Sequence, residues 1–148
     1  IMVMGNQKSL DGIEKSEKLQ LLYLYYARSL QDISALEKIK KTLKVLCLDY
    51  CPKIEDYSVL EKMENLQTLM IYGNHKISDI QFISKIKSLK RFRFSVNILD
   101  GDLSPCLKLE EATSMTNRKH YNLKDEELPK NYDCPFGNEG IEEWMLYW

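Results

Sequence analysis

The sequence predicts an α/β solenoid: short stacked units, each laying one strand into a parallel β-sheet on the concave face and returning by a short helical or irregular convex segment. Three observations lead there. The string L-x-x-L-x-L, with conservative replacements, starts at Leu19, Leu43, Leu66 and Leu89, at intervals of 24, 23 and 23 residues. Within each string apolar residues alternate with others, which is the two-residue period of a strand. Beyond each string the apolar residues fall at every third position, a spacing that suits a tight return. A fixed period of this length marks units that bury their apolar side only by stacking.

Taken in order, an incomplete unit comes first. Ile1–Met4 reads as the end of its strand, and Leu10, Ile13 and Ser16 take the places of its return. The bare apolar edge this leaves leads us to expect residues before Ile1, because natural proteins cover such edges. Unit one runs Leu19, Leu22, Leu24, then Leu30, Ile33, Leu36 and Ile39. Unit two repeats it as Leu43, Leu46, Leu48, then Ile54, Tyr57, Leu60 and Met63. Unit three gives Leu66, Leu69, Ile71, then Ile77, Ile80, Ile83 and Ile86. Unit four, Leu89, Phe92 and Phe94, is irregular from Ile98 to Pro105 and continues in shortened form through Leu103, Cys106 and Leu109. Leu109, Ala112, Ser114 and Asn117 start a polar fifth unit. Asp32, Asp56 and Asp79 recur one residue before the fifteenth position of their units. The ninth position holds Ala27, Cys51, Asn74 and Asn97. The asparagines there are expected to satisfy buried backbone groups where the chain leaves the sheet.

The chain therefore divides into a solenoid over 1–117 and a C-terminal capping segment over 118–148. In the latter, Ile141, Trp144, Met145 and Trp148 share one face of a short helix. That face reads as packing onto the last unit rather than as a docking helix, since apolar faces usually serve packing.

The pattern resembles the leucine-rich repeat family, most closely the bacterial internalin-type or phosphatase-regulator-type repeat of about 22 residues. "NHKISDIQFISKIKSLK" carries the likeness best, with one extra residue before Ile77, and the match covers residues 7 to about 117. Ala27 stands where that family has Asn, and Tyr57 where it has Ile. The resemblance implies protein partners and a concave binding face.

Strand positions that point away from the core are the places where function can sit, and they are expected to be exempt from core duty. Units one to four supply Tyr23, Tyr25 and Tyr26; Cys47, Asp49 and Tyr50; Met70 and Tyr72; and Arg91 and Arg93. Five of the nine tyrosines thus cluster on three consecutive units. Tyrosine also suits strands on its own account. Yet Tyr and Arg bury large areas while keeping hydrogen-bonding capacity, and are enriched at binding hot spots. The candidate partner-binding set is Tyr23, Tyr25, Tyr26, Asp49, Tyr50, Met70, Tyr72, Arg91 and Arg93.

Other functions find less support. Hydrophobic residues make up 44% and charged residues 29% of the 148, an ordinary globular balance. The net charge of −1 is divided between a mildly basic body and an acidic C-terminal third, which shapes the surface field and not the fold. No phosphate-binding glycine loop or catalytic set can be assembled, so no enzyme activity, cofactor or metal is expected. Cys47 and Cys51 point to opposite faces, against a shared zinc. The basic stretch Lys85–Arg93 is split between return and strand, so a nucleic-acid-associated regulator is only the alternative, as is a fragment of a larger receptor or surface protein. No apolar run is long enough to span a membrane. Four irregularly spaced cysteines fit a reducing cytoplasm. The expectation is a non-enzymatic, bacterial protein-interaction module, with an immunity or inhibitor protein as its simplest form.

Overall fold

A computed structural model describes residues 1–131. The strands are β1 (Met2–Met4), β2 (Leu21–Tyr25), β3 (Val45–Asp49), β4 (Thr68–Tyr72), β5 (Lys76–Ile77), β6 (Arg91–Phe94), β7 (Asn97–Ile98) and β8 (Glu111–Ser114). Six of them form one sheet in the order β1-β2-β3-β4-β6-β8, every pair parallel. The architecture is α/β, with chain order equal to sheet order. β5 and β7 pair separately beside it, placing Ile77 opposite Ile98.

Parallel neighbours need a crossover, and here each crossover carries a 3-10 helix: Ile13–Lys15, Ser34–Ile39, Ser58–Lys62, Gln81–Lys85 and Ser104–Lys108. The three-residue apolar spacing explains this choice, because side chains at i and i+3 eclipse in a 3-10 helix. Four of the returns begin with the same device. An aspartate accepts a hydrogen bond from the backbone N–H two residues ahead: Asp32 from Ser34, Asp56 from Ser58 and Asp79 from Gln81, each at 2.8 Å, and Asp102 from Ser104 at 3.0 Å. Such Asx turns satisfy donors that a helix start leaves orphaned.

The register stacks like on like. Leu22, Leu46, Leu69, Phe92 and Ala112 are successive cross-strand partners, as are Leu24, Leu48, Ile71, Phe94 and Ser114. With the apolar positions of the returns they form one continuous core. Between returns, exposed ion pairs link Glu14 to Lys38, Glu37 to Lys62 and Glu61 to Lys85. Screened pairs of this kind contribute about 0–1 kcal/mol each, so the core and not the ladder of charges holds the stack.

Residues 118–131 tie down the last strands. The backbone N–H of Ala112 donates to the Pro129 carbonyl (2.9 Å), that of Ser114 to Asp125 (2.7 Å), and Leu128 enters the core. Tyr121 receives the Ile98 N–H and donates to the Val96 carbonyl, while Asn122 receives the Leu103 N–H. The expected apolar face at 141, 144, 145 and 148 lies outside the described residues, as does Cys134.

The ninth-position expectation fails. Asn74 is exposed, and the buried Oδ1 of Asn97 has no hydrogen-bond partner. Backbone groups at these turns are served instead by Ser95, whose hydroxyl bridges the N–H and carbonyl of Gly73, and by the Cys51 thiol, which donates to the Leu24 carbonyl at 3.7 Å. Short side chains one strand away reach these groups because the turns of successive units lie side by side.

Candidate functional site

The parallel register sets the rows on the face opposite the core. One row crosses the sheet as Tyr23, Cys47, Met70 and Arg93; the next runs Tyr25, Asp49, Tyr72. Strands about 4.8 Å apart bring these side chains into contact. Tyr23 donates its hydroxyl to the Asp49 carboxylate at 2.9 Å. The Tyr23 and Tyr25 rings stack at 5.9 Å, Tyr25 meets Tyr26 edge-on at 4.4 Å, and Tyr26 stacks on Tyr50 at 4.7 Å. Four tyrosines from two units thus make one continuous aromatic surface.

Tyr26 and Tyr50 follow the last residues of β2 and β3, and both are left-handed, with φ of 52° and 53°. A bulky residue rarely adopts this conformation, which costs roughly 1–2 kcal/mol relative to the right-handed region. Their backbones are fixed by hydrogen bonds to the Asp49 and Tyr72 carbonyls of the neighbouring units. In unit three the equivalent residue is Gly73, φ 137°, which meets the positive φ without the steric cost. Two rings are therefore held, stacked, at positions whose backbone favours glycine, and Tyr50 remains 38% exposed. The guanidinium of Arg28 lies 5.0 Å over the Tyr26 ring, a cation–π contact.

Asp49 is half-buried, and desolvation raises its carboxyl above the ordinary range while the Tyr23 hydrogen bond pulls the other way. Burial first, then Asp49, push the Tyr23 phenol up. Tyr72 is pushed up to about 12, mainly by burial. All these phenols stay protonated and can donate.

The other end of the face is ionic. Glu111 on β8 is paired in register with Arg91, and its carboxylate is bound by Nε of Arg93 at 2.9 Å, by a second Arg93 nitrogen, and by Arg91 at 3.7 Å. Two guanidiniums meet on one buried carboxylate, as a buried anion requires partners.

The expectation that these strand positions escape core duty is overturned in the middle of the sheet. Val45, Cys47, Thr68 and Met70 are all buried, Met70 to 1% exposure. Val45, Cys47 and Met70 form a second apolar cluster with Leu21, Tyr23 and Tyr72 packed against it. Met70 thus belongs to the packing beneath the tyrosines and presents no surface to a partner. Cys47 lies in this cluster and Cys51 in the main core, on the opposite side of the sheet. Of the basic run Lys85, Lys87, Lys90, Arg91 and Arg93, Lys85 pairs with Glu61, Lys90 with Glu110, and the two arginines with Glu111.

No family model matches the chain, and no curated protein matches it either.

Sequence reading missed Glu111 and Arg28 as members of the site. The signal for Glu111 was its place at the third position of unit five, in line with Arg91. Arg28 lies two residues beyond Tyr26, in a turn whose path no periodicity specifies. Among the described residues no three metal-ligating side chains converge, and no helix is long and apolar enough to cross a membrane.

Proposed function

We propose that this chain is a leucine-rich-repeat solenoid that acts as a non-enzymatic protein-recognition module, binding its partner with the sheet face built from Tyr23, Tyr25, Tyr26, Asp49, Tyr50 and Tyr72. The observation that carries the reading is the Tyr26–Tyr50 stack. Two large side chains occupy left-handed backbone where glycine would be more stable. Local strain that surrounding structure maintains clusters at functional sites, and exposed aromatic surface of this kind supplies hot spots. The repeat register supports the solenoid, since it stacks equivalent positions of successive units. That four of the five cations in Lys85–Arg93 make ion pairs within the chain favours a protein partner over nucleic acid.

The test separates binding from stability. Tyr26→Gly and Tyr50→Gly relieve the strain but remove the rings, so the double variant should melt within a few degrees of the parent, a net change under about 1 kcal/mol. It should nonetheless lose capture of a partner that the parent retains, each ring costing about 2 kcal/mol of affinity. Full retention of the same partner by the folded double variant overturns the reading.

A further inference from the structure

We propose that Asp49 and the tyrosine rings around it form a subsite for a cationic side chain of the protein partner, an arginine in preference to a lysine. The inference rests on the protein-recognition reading and names the group that this face receives.

Asp49 occupies the middle of the row Tyr25, Asp49, Tyr72, with a ring on either side and the Tyr23 hydroxyl on its carboxylate. Among the described residues no lysine or arginine lies within ion-pair distance of it. Residues 132–148 contain no lysine, arginine or histidine at all. The chain therefore supplies no side-chain cation to this carboxylate, although it pairs the buried carboxylate on this face, Glu111, with two. A half-buried carboxylate with one hydroxyl donor keeps acceptor capacity open to a donor from outside.

The surroundings select what fills it. Aromatic faces attract cations through their quadrupole and repel anions. The same rings already hold one guanidinium, that of Arg28 over Tyr26. A planar guanidinium matches a carboxylate in a two-pronged geometry and stacks on tyrosine, whereas an ammonium meets the carboxylate only as a point charge and has no plane to stack. Tyr23, whose hydroxyl sits on Asp49, stacks on Tyr25, and the ring contacts run on through Tyr26 to the exposed Tyr50, so the aromatic surface is assembled before any ligand arrives. Binding then costs little ordering of the site.

The probe is N-acetyl-arginine amide, titrated at millimolar concentrations into the intact protein and followed by NMR of the tyrosine rings and the Asp49 amide. N-acetyl-citrulline amide is the control, equal in shape but neutral, and N-acetyl-lysine amide ranks the two cations. The arginine amide should shift the Tyr25, Tyr50 and Tyr72 resonances and bind about tenfold more tightly than the citrulline amide. Asp49→Asn, which keeps the shape and the Tyr23 hydrogen bond, should abolish that preference. The citrulline comparison needs no variant, so it decides the matter even if Asp49→Asn fails to fold. Equal binding of arginine and citrulline amides, shifts centred elsewhere, or no binding overturns the subsite. Partner capture by Tyr26→Gly/Tyr50→Gly tests the recognition reading separately, so loss of one leaves the other standing.

Discussion

Tyr26 and Met70 occupy neighbouring parts of the same face and carry opposite duties. Tyr26 bears backbone strain without entering the core, whereas Met70, nominally outward, is sealed at 1% exposure among Val45, Cys47, Leu21, Tyr23 and Tyr72. Met70→Ala should therefore destabilise the fold by about 2 kcal/mol or more, approaching the loss from Leu69→Ala on the core side. A denaturant midpoint unmoved by Met70→Ala would show that the second cluster contributes nothing. His75 makes a second residue-scale case. Both of its ring nitrogens are buried without a hydrogen-bond partner, and desolvation lowers its pKa from 6.5. A folded-state pKa below the unfolded value means that the unfolded chain binds more protons, so stability is lost as pH falls through 6.5 and below. Melting temperature should fall between pH 7.5 and pH 5.5, a span of about one unit either side of an unperturbed histidine, and His75→Gln should flatten that fall. An identical slope in the variant places the titrating group elsewhere. Asp32, Asp56 and Asp102, held below the usual carboxylate range by their Ser34, Ser58 and Ser104 hydrogen bonds, act in a separate and more acidic window.

Among the elements, β8 and the segment after it show how an irregular sequence closes a regular one. β8 lacks a following full repeat; Pro129, Lys130 and Asp125 supply its hydrogen bonds instead. The pivot is Gly101. Its φ is 71°, its carbonyl accepts from the Asn122 N–H at 3.0 Å, and a Cβ there would stand 2.3 Å from the His120 carbonyl oxygen. Backbone cannot yield as a flexible side chain can. Gly101→Ala should cost about 1–3 kcal/mol and expose the amides of Ile98, Leu103 and Asn122 to hydrogen exchange together. Exchange confined to residue 101 would mean that the segment holds without this contact. Four of the five returns, by contrast, are interchangeable: each reuses an Asp two residues before its first free amide, so local sequence suffices to start them.

At the scale of the whole molecule, each unit buries its leucines only against its neighbours. Leu46 is fully buried between Leu22 and Leu69. Leu46→Ala should cost roughly 2–5 kcal/mol and should weaken hydrogen-exchange protection in β2 and β4 as well as β3. Loss restricted to β3 would show independent units. The sequence by itself determined the strand order, the register and the main core, because a period of 23–24 residues with two-residue alternation admits one way of stacking Leu22, Leu46, Leu69 and Phe92. It also marked Asp32, Asp56 and Asp79 as recurring at one position of three units, the position at which the structure starts the return. It located the aromatic face through Tyr23, Tyr25, Tyr26, Tyr50 and Tyr72. Only the tertiary structure decided which of those outward residues reach the surface. Periodicity states the direction of a side chain and not what lies over it, so Met70 and Cys47 read as exposed until their cross-strand neighbours were in place. The same holds for Glu111, which becomes the anchor of Arg91 and Arg93 only when β8 lies beside β6, and for the left-handed backbone that aims Tyr26 and Tyr50. Those features arise from contacts between units, about 20 residues apart in the chain and adjacent in the sheet.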